Sequence, residues 1–170
     1  WGEYGIFLDK LKKSGIGKTA LERALRKINP RKITSGKYDV IAENLIAGNL
    51  LSPFISALYG SSMYQKNSFL TGKANTRVAS DKLSFYDDPL VISGFGSRCF
   101  DNEGLKAVRR DIVEQGILRN YFIDTYYGRK LKLMPTSGST SNLVFKTGST
   151  DLDGLVRTVN KGILVTGFNG

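Results

Sequence analysis

The chain has 170 residues, 41% of them hydrophobic, with 25 Lys and Arg against 15 Asp and Glu, a formal net charge of +10, and no histidine. That is apolar side chain enough for a true core, in one or two domains of ordinary size. The missing histidine removes Ser-His and Cys-His nucleophile pairs and every His-containing zinc site, and the single Cys99 can build neither a Cys-rich zinc site nor an internal disulfide.

No apolar run approaches the roughly 18 residues that span a membrane, and no signal peptide is visible. With one cysteine, which suits a reducing compartment, the expected location is cytoplasmic. The chain opens at Trp1 without an initiator Met and stops at Gly170 just after an apolar run, which fits a central piece of a longer protein.

The positive charge is unevenly spread. Nine of the 25 basic residues lie between Lys10 and Lys32, where Glu22 is the only acid. Such a segment could bind a polyanion, but stacking aromatics are absent from it, so a solvated helix face plus a basic linker is the preferred reading. Gly15-Ile16-Gly17-Lys18-Thr19 imitates the end of a phosphate-binding loop. The full motif needs a glycine where Lys12 stands and an apolar strand before it, so helix initiation accounts for it better. Ala20, Leu21, Ala24, Leu25 and Ile28 share one face at helical spacing, and Asn29-Pro30 should end that helix.

After a linker from Arg31 to Gly36, the pattern is α+β. Tyr38–Ala42 reads as a strand, and Leu45–Leu58 has helical spacing that Gly48 and Pro53 make doubtful from end to end. From Val78 onward, short β-rich runs alternate with turns: Lys82–Tyr86, Leu90–Ile92, Ala107–Val113, Ile117–Ile123, Leu143–Lys146 and Ile163–Val165. They predict a mixed, mainly antiparallel β domain, a partly closed sheet or barrel, with a few helices. Glu114-Gln115-Gly116 should close a tight hairpin with positive φ at the glycine. Leu152–Val159 reads as a helix with Asp151 or Asp153 near its start.

Between Phe100 and Gly138 several pieces follow in order: the acidic turn Asp101-Asn102-Glu103-Gly104, the hairpin at Gly116, the basic run Arg129-Lys130-Leu131-Lys132-Leu133 and Thr136-Ser137-Gly138. This order over about forty residues resembles the TldD/PmbA family, which passes from an FD-x-EG turn through an ENG-type hairpin to a basic run and a T-G ending. Tyr59-Gly60-Ser61-Ser62-Met63-Tyr64 with Ser68-Phe69-Leu70, Asp87-Asp88-Pro89 with Gly94-Phe95-Gly96-Ser97-Arg98, and Gly162-Ile163-Leu164-Val165-Thr166-Gly167 are similar to further segments of that family. The resemblance covers roughly Lys37 to the end. It implies that residues 1–36 are the end of an N-terminal α/β domain with a linker, and that 37–170 begin a C-terminal α+β domain continued beyond Gly170.

The metal-bearing subunit of the family carries an HExxxH-type motif on a helix. Aligned on Gly48, its ligand positions fall on Asn44 and Asn49 and its glutamate on Leu45, so the resemblance implies a PmbA (TldE) type of subunit without catalytic residues or a metal cofactor. Such a subunit would partner a TldD-like metallopeptidase, or a second copy, and bind small unfolded peptides. Alternatives are a self-contained peptidase whose metal site is completed outside this sequence, and a DNA-associated, gyrase-modulator-like protein. For a peptide carboxylate, Tyr121, Tyr126, Arg129 and Lys130, with Tyr127, are the candidate ligands.

Other residues have plainer readings. Glu43 is read as an exposed helix-start glutamate, Asp87-Asp88 as a turn before Pro89, and Asp101 and Glu103 as caps of backbone amides. Cys99 beside Arg98 is read as a half-buried structural thiol, and Gly94-Phe95-Gly96 fails as a dinucleotide fingerprint because Cys99 occupies the third glycine position.

Overall fold

The structure, a computed structural model, describes residues 2–12 and 14–168. It divides into two compact units, Trp1–Lys37 and Tyr38–Gly170.

In the smaller unit, α1 (Leu8–Lys12) precedes α2 (Ile16–Leu25), and neither buries a side chain. Gly15, with φ of 68°, makes the left-handed turn into α2, which accounts for the loop-like glycines without a nucleotide. The helix closes at Leu25 with Arg26 as its C-cap, so Ile28 falls outside it, and Asn29 takes a left-handed φ of 54°. Leu21 and Leu25 stay exposed.

In the larger unit, β1 (Asp39–Ala42) pairs in parallel with β6 (Gly162–Val165), from Asp39 against Gly162 to Ala42 against Val165. Helix α3 (Asn44–Ser56) follows without a break and contains both Gly48 and Pro53. The helix tolerates them because Gly48 faces open space, and the carbonyl deprived of a donor by Pro53 belongs to exposed Asn49. Helix α4 (Gly60–Tyr64) leads toward the main sheet.

That sheet has the order β4-β3-β2-β5, antiparallel throughout, from β2 (Phe85–Asp87), β3 (Arg110–Glu114), β4 (Ile117–Leu118) and β5 (Leu143–Phe145). It is open, so the partly closed sheet or barrel expected from the many short runs is not what forms. Leu90–Ile92 is a turn, and the run Ile117–Ile123 leaves the sheet after Leu118. The register of β2 on β3 shifts between Phe85 and Tyr86, so Val113 faces Phe85 while Asp111 faces Tyr86. The extra residue is Ile112, and this bulge is how Ile112 and Val113 are both buried on neighbouring positions.

The expected hairpin is present as a two-residue loop between β3 and β4. Gln115 and Gly116 both have positive φ, 48° and 77°, the primed turn whose twist matches the strands. The core gathers Leu58, Leu70, Phe85, Ile112, Leu118, Phe122 and Ile123, with Phe145 stacked on Phe85 at 4.8 Å between ring centres. Each such side chain stabilises the fold by about 1.5–3 kcal/mol through burial. Helices α5 (Thr125–Leu131) and α6 (Leu152–Arg157) complete the unit, the latter capped by Asp151, which accepts from the Gly154 N–H at 2.7 Å. No helix among the described residues is long and apolar enough to cross a membrane.

Candidate functional site

Asn44, Leu45 and Asn49 all lie on the exposed face of α3, Leu45 with 56% of its surface open. The donor set does not fit a catalytic metal. Two carboxamides are poor zinc ligands, and a leucine cannot move a proton. Among the described residues no group of three or more His, Cys, Asp or Glu is placed to hold a metal ion. Glu43, just before α3, is half-buried rather than exposed, and its N–H donates to the Val165 carbonyl at 3.0 Å, tying the helix start to β6.

The four candidate peptide ligands do not form one group. Tyr121 is only 8% exposed, and its hydroxyl donates to the Leu70 carbonyl at 2.6 Å and accepts from the Lys73 N–H at 3.0 Å. Burial pushes its phenol pKa up against the opposing effect of the Lys73 and Ala74 backbone N–H groups. This tyrosine works as a strut. Tyr126, Arg129 and Lys130 stand together on α5, Tyr126 56% exposed with the Lys130 ammonium 5.6 Å from its ring centre. Tyr127 stacks edge-on to Tyr126 at 5.0 Å and reaches Tyr64 at 5.9 Å, so an aromatic row runs from α4 along α5. Beside it Arg129, Lys132, Leu133, Met134 and Pro135 line a shallow basic and apolar groove.

Helix α5 is missed by periodicity because it has seven residues, includes Gly128, and its paired tyrosines imitate strand composition. The available signal is Asp124, which caps it by accepting from the Tyr127 N–H at 2.6 Å. Glu103 reaches the same helix start, accepting from the Thr125 N–H at 2.9 Å and from the Thr125 hydroxyl. Asp101 Oδ1 accepts from the N–H groups of Glu103 and Leu105, both at 2.9 Å, closing its own turn. Capping is therefore what this acidic turn does. Burial is the largest single influence and would raise the Asp101 pKa, but the Leu105 and Glu103 amides, the Ser137 hydroxyl and the Arg98 charge together hold the carboxyl below its ordinary value.

The turn sits beside a buried polar junction. Asp87, 2% exposed, is not in a solvent-facing turn but inside β2, where its Oδ2 accepts from Arg110 Nη2 at 3.1 Å. Its Oδ1 accepts from the Ser141 N–H and hydroxyl at 2.6 and 2.7 Å. Burial lowers the Arg110 pKa, which Asp87 partly restores. Arg98 Nη2 and Arg110 Nη2 both donate to the Ser139 carbonyl, at 2.8 and 3.3 Å, which fixes the 137–142 loop. Asp88 is the turn residue, accepting from the Leu90 N–H at 2.9 Å. A Cβ on Gly96 would lie 2.3 Å from the Ser141 carbonyl oxygen, so the Gly94-Phe95-Gly96 glycines serve close packing on this loop. Cys99 is exposed, not half-buried. Facing the junction, Asp101, Asn102, Glu103, Asp124, Gly138 and Ser139 line a cavity of about 180 Å³.

The chain as a whole is similar to known proteins. Residues 35–170 match the family model of the PmbA/TldA metallopeptidase C-terminal domain. The chain is 33% identical over 158 residues to "Metalloprotease PmbA homolog" of Buchnera aphidicola subsp. Baizongia pistaciae, covering 91% of this chain and 35% of that protein. It is 30% identical over 157 residues to "Metalloprotease PmbA" of Escherichia coli O157:H7, again covering 91% of this chain and 35% of that protein. A crystal structure of a candidate modulator of DNA gyrase from Bacteroides thetaiotaomicron superposes with a TM-score of 0.93 at 49% identity, covering 98% of this chain and 38% of that one. TldE from Thermococcus kodakarensis shares the fold, with a TM-score of 0.71 at 23% identity, covering 90% of this chain and 38% of that one. The chain belongs to the PmbA/TldD family. It spans about a third of the length of the curated relatives it matches.

Proposed function

We propose that this chain is part of a PmbA/TldE-like subunit of a TldD/PmbA-type peptidase system, contributing peptide and partner binding while a TldD-like partner supplies the metal chemistry. What supports this most is α3. Its exposed face presents Asn44, Leu45 and Asn49 to solvent in a chain without histidine, and by the resemblance these are the positions of the HExxxH motif in the family's metal-bearing subunit. The substrate would be a small unfolded peptide in the cytoplasm, held beside α5. There Tyr126 offers an exposed ring, and Arg129 and Lys130 offer charge for a peptide carboxylate.

A peptidase assay on the full-length protein tests the reading, run alone, with a TldD-like partner, and against the partner alone. Cleavage should require the partner, and Arg129→Ala with Lys130→Ala should raise KM while leaving kcat nearly unchanged, as expected when uniform binding is lost. Metal-dependent cleavage by the full-length protein alone would refute it in favour of a self-contained enzyme.

A further inference from the structure

We infer that a groove on the 69–78 segment binds the C-terminal residue of a peptide, with its apolar side chain on the floor and its carboxylate against Lys73 and Arg77. The class of ligand rests on the peptide-binding reading above, but the site does not. None of the groove's lining residues belongs to α5, which is then left to meet side-chain carboxylates.

Two independent features meet in this groove of about 320 Å³. The first is apolar surface. Leu70, 2% exposed, and half-buried Val78 line it, and Phe69 stands beside them with 64% of its surface open. The Phe69 ring is nonetheless fixed, edge-on to Phe54 at 6.2 Å between ring centres. The second is charge. Lys73 and Arg77 are exposed at the same groove, and neither makes an ion pair with a carboxylate among the described residues. Glu114, the acid of the adjoining hairpin, is already held by Arg119 at 3.0 Å. Arg77 Nη1 donates to the Gln115 carbonyl at 3.3 Å, which anchors the guanidinium and leaves its other N–H groups for a guest.

The walls are set before any ligand arrives. The Tyr121 hydroxyl bridges the Leu70 carbonyl and the Lys73 N–H, and Gly72 and Asn75 turn the chain with left-handed φ of 72° and 59°. The Asn75 N–H donates to the Leu118 carbonyl at 2.7 Å and the Val78 N–H to the Gly116 carbonyl at 2.8 Å. The Tyr121 strut thus has a task, holding the shape of this groove, and a preformed groove loses little freedom on binding.

The chemistry of the walls selects the guest. The N–H groups of Lys73, Thr76 and Val78 are spent within the protein, so a phosphate finds no cradle of amides. Phe69 is the one ring that lines the groove, whereas single-stranded nucleic acid is followed by successive rings. A carboxylate joined to an apolar side chain satisfies both features at once, and the volume admits one large side chain.

The test uses the full-length protein at constant ionic strength, with a fluorescein-labelled Gly-Ala-Ala-Phe peptide, its C-terminal carboxamide, and anisotropy as readout. The free carboxylate should bind at least ten-fold more tightly than the carboxamide. Lys73→Met and Arg77→Met, which keep an apolar stem at exposed positions, should each weaken carboxylate binding about five-fold and leave carboxamide binding unchanged. Phe69→Ala should weaken both peptides alike. Equal binding of the two peptides, no saturable binding of either, or carboxylate binding unchanged in both methionine variants overturns the inference.

Arg129→Ala with Lys130→Ala separates this site from α5. Binding lost in that variant but intact in Lys73→Met and Arg77→Met would keep the α5 reading and discard the groove, and the converse would keep the groove and discard α5. A labelled oligothymidylate bound more tightly than the peptide, and weakened by the same three substitutions at the groove, would assign it to nucleic acid and overturn the inference.

Discussion

The outer face of α3 and the polar junction around α5 differ in how much of the chain holds them. Helix α3 is 13 residues long and buries one side chain, Ile46, while Asn44, Leu45, Gly48 and Asn49 look outward, Gly48 into open space. Helix α5 has only seven residues, yet it is fixed from several directions. Asp124 and Glu103 cap it, and Tyr127 Cβ lies 2.8 Å from where a Cβ on Gly60 would be. The loop against Asp124 is held by Arg98, Arg110 and Asp87. A long helix can thus leave one face free at little structural cost, while a short one persists only through tertiary ties. Among the described residues, the side-chain hydrogen bonds that tie loops to a helix gather around α5 rather than on the outer face of α3.

Substitutions should separate the two neighbourhoods sharply. The largest loss is expected from Arg110→Ala, which leaves Asp87 buried and unpaired and should destabilise the full-length protein by about 3–5 kcal/mol in urea denaturation. A loss under about 1 kcal/mol would mean that the junction does not hold the sheet and loop together. Gly116→Val comes next. It forces a β-branched residue to φ of 77° and places its Cβ 2.3 Å from the Ala79 carbonyl oxygen, so about 1–3 kcal/mol should be lost. An unchanged midpoint would reject the hairpin geometry.

A smaller effect is expected with pH. The folded-state pKa of Asp101 is below its ordinary value of 3.8, so its stabilisation is fully present above that value and is lost as pH falls through the folded pKa. Asp101→Asn should therefore flatten the acid limb of the stability profile below about pH 4. An acid limb identical to the wild type would remove Asp101 from the ledger of groups that matter. The smallest effect belongs to α3, where Leu45→Gln should stay within about 0.5 kcal/mol of the wild type. A substantially larger loss would show that this face is covered in the full-length protein.

The legible parts of the fold are those set by local pattern. The strand at Tyr38–Ala42, the hairpin at Gly116, the strand before Lys146 and the helix after Asp151 were all readable from turn residues, caps and alternation. What was illegible depends on distant partners. The run Ile117–Ile123 has strand composition, but Phe122 pairs as a single bridge with Tyr59, and the Tyr121 hydroxyl is taken by Leu70 and Lys73, so the chain leaves the sheet. Asp87 reads as a turn residue beside Asp88 and Pro89, and nothing local reveals an arginine 23 positions away. The same holds for the candidate site. Tyr126, Arg129 and Lys130 could be named from composition, whereas Asp124 and the cavity beside it emerge only when the turn at Asp101 is folded against α5.

The central claim, that this family member does its work without a metal of its own at α3, is tested most directly by elemental analysis of the full-length protein purified without chelators. The account predicts zinc far below one atom per chain, unchanged after dialysis against zinc and a buffer wash. About one zinc per chain, lost on chelation together with peptidase activity in the absence of any partner, would contradict it.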